Sequence, residues 1–269
     1  MITEVLINGA PSEGLIPVTD SSVLRGDGCF EVLKSYDGEV FALDDHIERL
    51  QASATALQID LPERAELASW IEKTAAEVGT GAVRVVVTRG ASVPGVEAPP
   101  NVIVFGHGWE VPEGPARLFP VVAPWHPAGV DWDLAGAKLI SYGPNMAAVR
   151  RARMEGFDDA LLLTPDNMVL EGPTFSVAWV VDGVVETPGL ELGILDSITR
   201  RVVLDLAREE AIPIAEGRWA LDRLREATEV MALSTIREVQ PVKSVGAMKW
   251  EPGPVTQLLG RGFARRTHR

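Results

Sequence analysis

Lys138 sits in the run Leu134-Ala135-Gly136-Ala137-Lys138-Leu139-Ile140, where an ammonium loses hydration unless something compensates it. Burial in such surroundings lowers a lysine pKa and frees the amine to attack a carbonyl. A lysine whose stem packs while its head reaches water has the same pattern, so the nucleophile reading needs an anion site and an acid to appear with it. Lysine is scarce here: 20 of the 25 basic residues are arginines, and the rest are Lys34, Lys73, Lys138, Lys243 and Lys249. An anion site is offered by Gly193-Ile194-Leu195-Asp196-Ser197-Ile198-Thr199-Arg200. There a loop feeds a hydroxyl-rich helix start, so free backbone N–H groups and the positive dipole end point the same way; an ordinary Asp/Ser cap reads identically. Ser234-Thr235 follows an expected strand and can add a hydroxyl. His46 and Arg49 lie three apart on one helix face. Glu171 ends the run Met168-Val169-Leu170 ahead of Gly172-Pro173, a position that either aims a carboxylate into a cleft or leaves it in a solvated turn.

Other chemistries are disfavoured. The histidines His46, His107, His126 and His268 show no H-x-x-x-H spacing and no cysteine cluster, so no metal site is expected. There is no G-x-S-x-G, P-loop or Rossmann fingerprint. Gly26-Asp27-Gly28 leads into a strand, where a phosphate cradle would lead into a helix. A net charge of −13 disfavours nucleic acid and anionic membrane as partners. The lone Cys29 implies a reducing, cytoplasmic address, and Met1-Ile2-Thr3-Glu4 lacks the basic-then-apolar pattern of a signal peptide.

With 46% hydrophobic and 23% charged residues over 269 positions, the composition is globular and the length suits about two domains. Val5–Ile7 and Cys29–Tyr36 read as strands, and Asp37-Gly38 as a hairpin turn into a strand over 40–43. Asp44 or Asp45 caps a helix with Ile47, Leu50, Ala54 and Leu57 inward, and a second helix runs from Pro62 to Val78. Strands over 83–88 and 102–105 complete a small α+β domain. A connection is expected between Pro112 and Gly129, giving domains 1–123 and 124–269. The second carries a helix over 144–155, strands over 160–163, 168–170 and 176–181, helices over 197–209 and 221–227, and strands over 229–233 and 238–242. The last is expected at a sheet edge because Pro241 cannot donate to a ladder. Arg261–Arg269 reads as a solvated basic terminus.

The order of the pieces carries a further signal. R-G-D-G-C-F-E at 25–31, H-x-x-R-L at 46–50, Lys138 followed by S-Y-x-x-N, E-G at 171–172, G-I-L-x-x-I-T-R at 193–200 and S-T-x-x-E-V-x-P-V at 234–242 together resemble the class IV aminotransferases. These are the fold-type IV pyridoxal phosphate enzymes, which include branched-chain and D-amino-acid aminotransferases and 4-amino-4-deoxychorismate lyases. The resemblance implies an α/β fold with a small N-terminal α+β domain and a larger C-terminal α/β domain, pyridoxal 5′-phosphate as cofactor, and a homodimer. It implies that Lys138 bonds the cofactor and shuttles the proton, and that Glu171 bonds the pyridine nitrogen. Arg49, Ile198, Thr199 and Thr235 would hold the phosphate, with Tyr142 near the ring hydroxyl. The D-type arginine-x-histidine trap is absent after Thr88-Arg89-Gly90, so the substrate carboxylate falls to Arg237, with Arg25, Arg89 and Lys34 as alternatives. The implied reaction moves an amino group between an amino acid, D-configured by the stretch 30–50, and a 2-oxo acid. The alternatives are the lyase, to which Leu134-Ala135-Gly136 and Gly26–Phe30 are similar, and a catalytically silent binding protein.

Overall fold

The computed structural model describes residues 2–267, and the chain divides into two compact units. The first comprises residues 1–110 and 137–142, the second 111–136 and 143–269. The boundary expected at 123/124 falls within the second unit, and the segment around Lys138 groups with the first.

In the first unit, β1 (Val5–Ile7), β2 (Ala10–Ser12), α1 (Ser21–Arg25), β3 (Gly28–Tyr36) and β4 (Glu39–Val40) precede α2 (Leu43–Ala56) and α3 (Arg64–Val78). β5 (Gly81–Thr88), the short pair β6 (Ser92–Val93) and β7 (Val96–Glu97), and β8 (Asn101–His107) follow. Six strands form an antiparallel sheet in the order β2-β1-β8-β5-β3-β4. Asp37 and Gly38 take φ of 51° and 91°, which suits the two-residue hairpin turn read from the sequence. The expected strand over 40–43 stops at Val40, because Ala42 adopts φ 54° and turns the chain into α2. Asp44 and Asp45 therefore occupy the first turn of α2, where they favour the helix dipole, and neither caps it. Ile47, Leu50 and Ala54 of α2 and Leu67, Ile71 and Ala75 of α3 recur at helical spacing. They share one core with Leu33, Val83, Val85, Val87, Val102 and Val104 of the sheet.

The second unit begins with β9 (Ala116–Val122), α4 (Gly143–Met154), β10 (Asp159–Leu163), β11 (Ser176–Val181) and β12 (Val184–Pro188). α5 (Ile198–Glu209), β13 (Ile214–Gly217), β14 (Glu229–Ser234), β15 (Glu238–Val245), β16 (Met248–Lys249) and α6 (Pro254–Thr267) complete it. The sheet order is β10-β9-β15-β14-β11-β12-β13, with β16 on β15; β10, β9 and β15 run parallel, as do β12 and β13. Along β10, Leu161 and Leu163 enter one core while Ala160 and Leu162 enter another, so this strand is buried on both faces and reads as a continuous apolar run.

In the second unit four expectations change. Residues 168–170 form only isolated bridges, from Val169 to Leu163 and from Met168 to Ala220. Residues 221–226 form a 3-10 turn. β15 lies inside the sheet, between β14 and β9, but pairing with β9 begins at Val242, so Pro241 faces only Met231 of β14. The missing N–H is thereby accommodated within a central strand. The basic C-terminal stretch is largely helical, with Leu259 and Phe263 of α6 buried; His268 and Arg269 lie outside the described residues.

Candidate active site

In the first unit the segment 137–142 docks along the edge of β3. The Phe30 N–H donates to Lys138 C=O and the Ile140 N–H to Gly28 C=O, each at 3.0 Å, around a bridge between Cys29 and Leu139. A Cβ at position 28 would meet Val87 O of β5 at 2.2 Å and Ile140 Cδ1 of the segment at 3.0 Å, so glycine is needed here for β5 to approach and leaves room for Ile140. Lys138 is half-buried. Its amine is not in an aliphatic core: Nζ lies 4.5 Å from the Phe30 ring centroid and 5.8 Å from that of Tyr142. The two rings meet edge to face at 5.3 Å. Tyr142 is thus beside Lys138, and Phe30, which sequence reasoning did not single out, is the nearer ring.

The next residue of β3, Glu31, belongs to a buried charged cluster with His46 and Arg49 of α2. Glu31 Oε1 accepts from Arg49 Nε at 2.7 Å and Oε2 from Arg49 Nη2 at 2.8 Å, and His46 Nδ1 also lies 2.8 Å from Oε2. A carboxylate only accepts, so His46 Nδ1 carries the proton. Burial by itself would raise the Glu31 pKa; the Arg49 charge and the hydrogen bonds of Arg49 and His46 outweigh it and hold the carboxyl far below its usual range. Burial lowers the pKa of His46, against the pull of Glu31. The fork fixes the plane of Arg49, whose side chain is 10% exposed. Cys29, fully buried, has its thiol pushed up to about 12 by desolvation and then by Glu31, so it is an inert core residue.

Arg89 donates to both Asp27 carboxylate oxygens, at 2.5 and 3.1 Å, and to Leu57 C=O at 2.6 Å. Arg25 is exposed at the end of α1, and Lys34 is buried with its amine 4.9 Å from the Tyr36 ring centroid.

In the second unit Glu171 is held by the Leu195 N–H, 3.3 Å from each carboxylate oxygen, with His126 Nε2 nearby at 3.6 Å from Oε1. Leu195 belongs to the loop that enters α5. Ser197 caps that helix, its hydroxyl accepting from the Arg200 N–H at 3.3 Å. Ile198 and Thr199, the first two residues of α5, are buried, and their N–H groups precede any helical acceptor. Thr235 lies in the turn between β14 and β15, where Ser234 Oγ accepts the Arg237 N–H. Arg237 turns inward to Asp159 at 2.5 Å and Gln240 at 2.7 Å, with its guanidinium 4.8 Å from the Phe175 ring centroid. Among the described residues no cluster of His, Cys, Asp or Glu could hold a metal, and no helix is long and apolar enough to cross a membrane.

Residues 28–245 match the family Amino-transferase class IV. The D-alanine aminotransferase of Listeria monocytogenes is 29% identical, across 97% of this chain and 94% of its own. A putative branched-chain-amino-acid aminotransferase of Methanocaldococcus jannaschii is 31% identical, across 97% and 95%. Among solved structures, a fold IV transaminase from Curtobacterium pusillum superposes with a TM-score of 0.85 at 29% identity, covering 97% of this chain and 92% of that one. The chain belongs to the class IV aminotransferases. It is an enzyme of that pyridoxal-phosphate-dependent class, and each unit carries groups of suitable chemistry: the first a lysine amine held against two aromatic rings, the second a carboxylate oriented by a backbone N–H and a helix start with free N–H groups.

Proposed function

We propose that this aminotransferase moves an amino group between a D-amino acid and a 2-oxo acid, with Lys138 as the catalytic base. The observation that carries the reading is the seating of Lys138 on β3 with its amine against Phe30 and Tyr142. The D-configuration is supported by likeness to D-alanine aminotransferases over nearly the whole chain.

Pyridoxal phosphate, when bound, supplies an aldehyde for the amino group and a ring that withdraws electrons from the substrate Cα. Lys138 Nζ would hold the cofactor and would take and return the substrate Cα proton. Glu171, its carboxylate oriented by the Leu195 N–H, would keep a proton on the ring nitrogen. Ile198 and Thr199 N–H groups, the Thr199 and Thr235 hydroxyls and Arg49 would hold the phosphate, and Tyr142 would serve the ring hydroxyl. Arg25, Arg89 and Arg237 are the candidates for the substrate carboxylate. Arg89 and Arg237 each already hold an aspartate, so either would exchange that carboxylate for the substrate's.

The working form is a homodimer, a reading supported by Leu15, Val18, Val23 and Leu24, which are 75%, 77%, 59% and 51% exposed within one short segment. Light scattering at the assay concentration tests it. The single cysteine suits the cytoplasm. For the activity, the enzyme is mixed with D-alanine and 2-oxoglutarate while the cofactor spectrum and products are followed. Conversion to the amine form with pyruvate and glutamate supports the transferase. Release of 4-aminobenzoate from aminodeoxychorismate without any 2-oxo acid would instead make it the lyase.

A further inference from the structure

We infer that Ser53 is a positioning residue for Lys138, coupling the helix that carries Arg49 to the main chain of the lysine. This rests on the proposed role of Lys138. The Lys138 backbone N–H donates to Ser53 Oγ at 3.0 Å, and Ser53 Oγ donates to Arg49 C=O at 3.0 Å. The two bonds form one directed relay, N–H to hydroxyl to carbonyl. With its own proton turned toward Arg49, the hydroxyl presents a lone pair to Lys138, and each bond polarises the other.

The placement follows from helical spacing. His46, Arg49 and Ser53 recur at intervals of three and four along α2 and form a polar stripe beside the apolar one. The first two hold Glu31 of β3, and the third holds the strand that docks on β3 one residue earlier, at Phe30. Lys138 is therefore gripped on both sides of its peptide: its C=O by the Phe30 N–H of β3 and its N–H by Ser53 of α2. With the main chain fixed at both groups, the amine can pivot only about its own side-chain bonds, over the rings of Phe30 and Tyr142.

A serine serving only the helix gives the opposite expectation. Alanine is the better helix former, and a serine bonded back to the carbonyl four residues earlier weakens and bends a helix slightly. At a site only 2% exposed, a purely helical serine would be neutral or beneficial to lose. Ser53→Ala removes the acceptor of the Lys138 N–H and leaves that donor unmatched.

The test compares Ser53→Ala and Ser53→Thr with the wild type in the full-length, cofactor-loaded enzyme. Hydrogen exchange at the Lys138 amide should accelerate about tenfold in Ser53→Ala. The kcat should fall by roughly 10- to 100-fold while the KM for the amino donor stays within about twofold, as misplacement of a reacting group requires. Ser53→Thr, which keeps the hydroxyl, should recover most of both. Unchanged exchange at Lys138 in Ser53→Ala overturns the coupling. Faster exchange with unchanged kcat overturns the positioning role, as does a kcat loss that Ser53→Thr fails to recover and that accompanies a general fall in melting temperature. Turnover by Lys138→Ala would overturn the proposed function and this inference together, which separates that failure from one of Ser53 alone.

Discussion

Arg237 and Asp159 form an ion pair at 2.5 Å, with the arginine side chain 15% and the aspartate 7% exposed, and with Phe175 under the guanidinium. Desolvation raises the Asp159 pKa and lowers that of Arg237, and each partner opposes the other's shift. Removing one member of such a pair leaves the other buried and uncompensated. Arg237→Ala should therefore cost about 3 kcal/mol of stability, and Arg237→Met with Asp159→Leu together should cost less than Arg237→Ala alone. Urea unfolding measures both. A single variant as stable as the wild type would show that the pair is not what holds this turn, and Arg237 would regain its place as first candidate for the substrate carboxylate.

Lys138→Ala should lose turnover by about 10²- to 10⁴-fold or more, together with the absorbance of the lysine-bound cofactor, while its melting temperature in the absence of cofactor is nearly unchanged. Borohydride reduction followed by peptide mapping is the check. A modified peptide containing any lysine other than Lys138 in the wild type would move the assignment.

Glu171→Gln should keep the cofactor yet slow Cα-proton removal by about 10²-fold, since an amide stabilises a ring proton far less than a carboxylate. Stopped-flow measurement of the half-reaction with a Cα-deuterated amino acid isolates that step. An unaltered rate would reduce Glu171 to a turn residue.

His46 predicts how stability depends on acidity. Its folded pKa lies below the ordinary value of 6.5, so the unfolded chain takes up the proton first and stability falls as pH drops below 6.5. Glu31 acts with the same sign at lower pH: its contribution is complete above its ordinary value of 4.5 and is lost below that. Melting temperatures taken at about pH 8, 6 and 5 should show the upper limb in the wild type and its absence in His46→Gln. Equal pH dependence in the two proteins would remove His46 as its source.

Much of this was readable from residue order. The apolar spacing of α2 and α3, the Asp37-Gly38 turn and the β-branched runs of β5 and β8 are local patterns that tertiary packing then confirmed. Residues whose work depends on a distant partner were not legible. Ser53 looks like any helical serine until Lys138, 85 positions on, donates to it. Phe30 and Glu31 are neighbours on a strand, and only the pairing of β3 assigns one to the lysine amine and the other to Arg49. β9 escaped notice because Pro120 breaks its apolar run, and the structure places it between β10 and β15 with parallel pairing on both sides. The inward turn of Arg237 depends on Asp159, whose approach no local spacing announces.

The return of residues 137–142 to the first unit has a consequence for biogenesis. When residues 1–110 have left the ribosome, the outer edge of β3 at Gly28–Phe30 still lacks its partner, and the Ser53 hydroxyl has no donor from Lys138. Twenty-six further residues, Val111–Gly136, are made before the missing strand arrives. A nascent chain arrested before residue 137 therefore exposes an unpaired strand edge, the kind of surface that recruits chaperones or mispairs with another chain. Lys138 arrives on the segment that closes this edge, so a chain truncated there lacks both that lysine and the strand that would cover the edge.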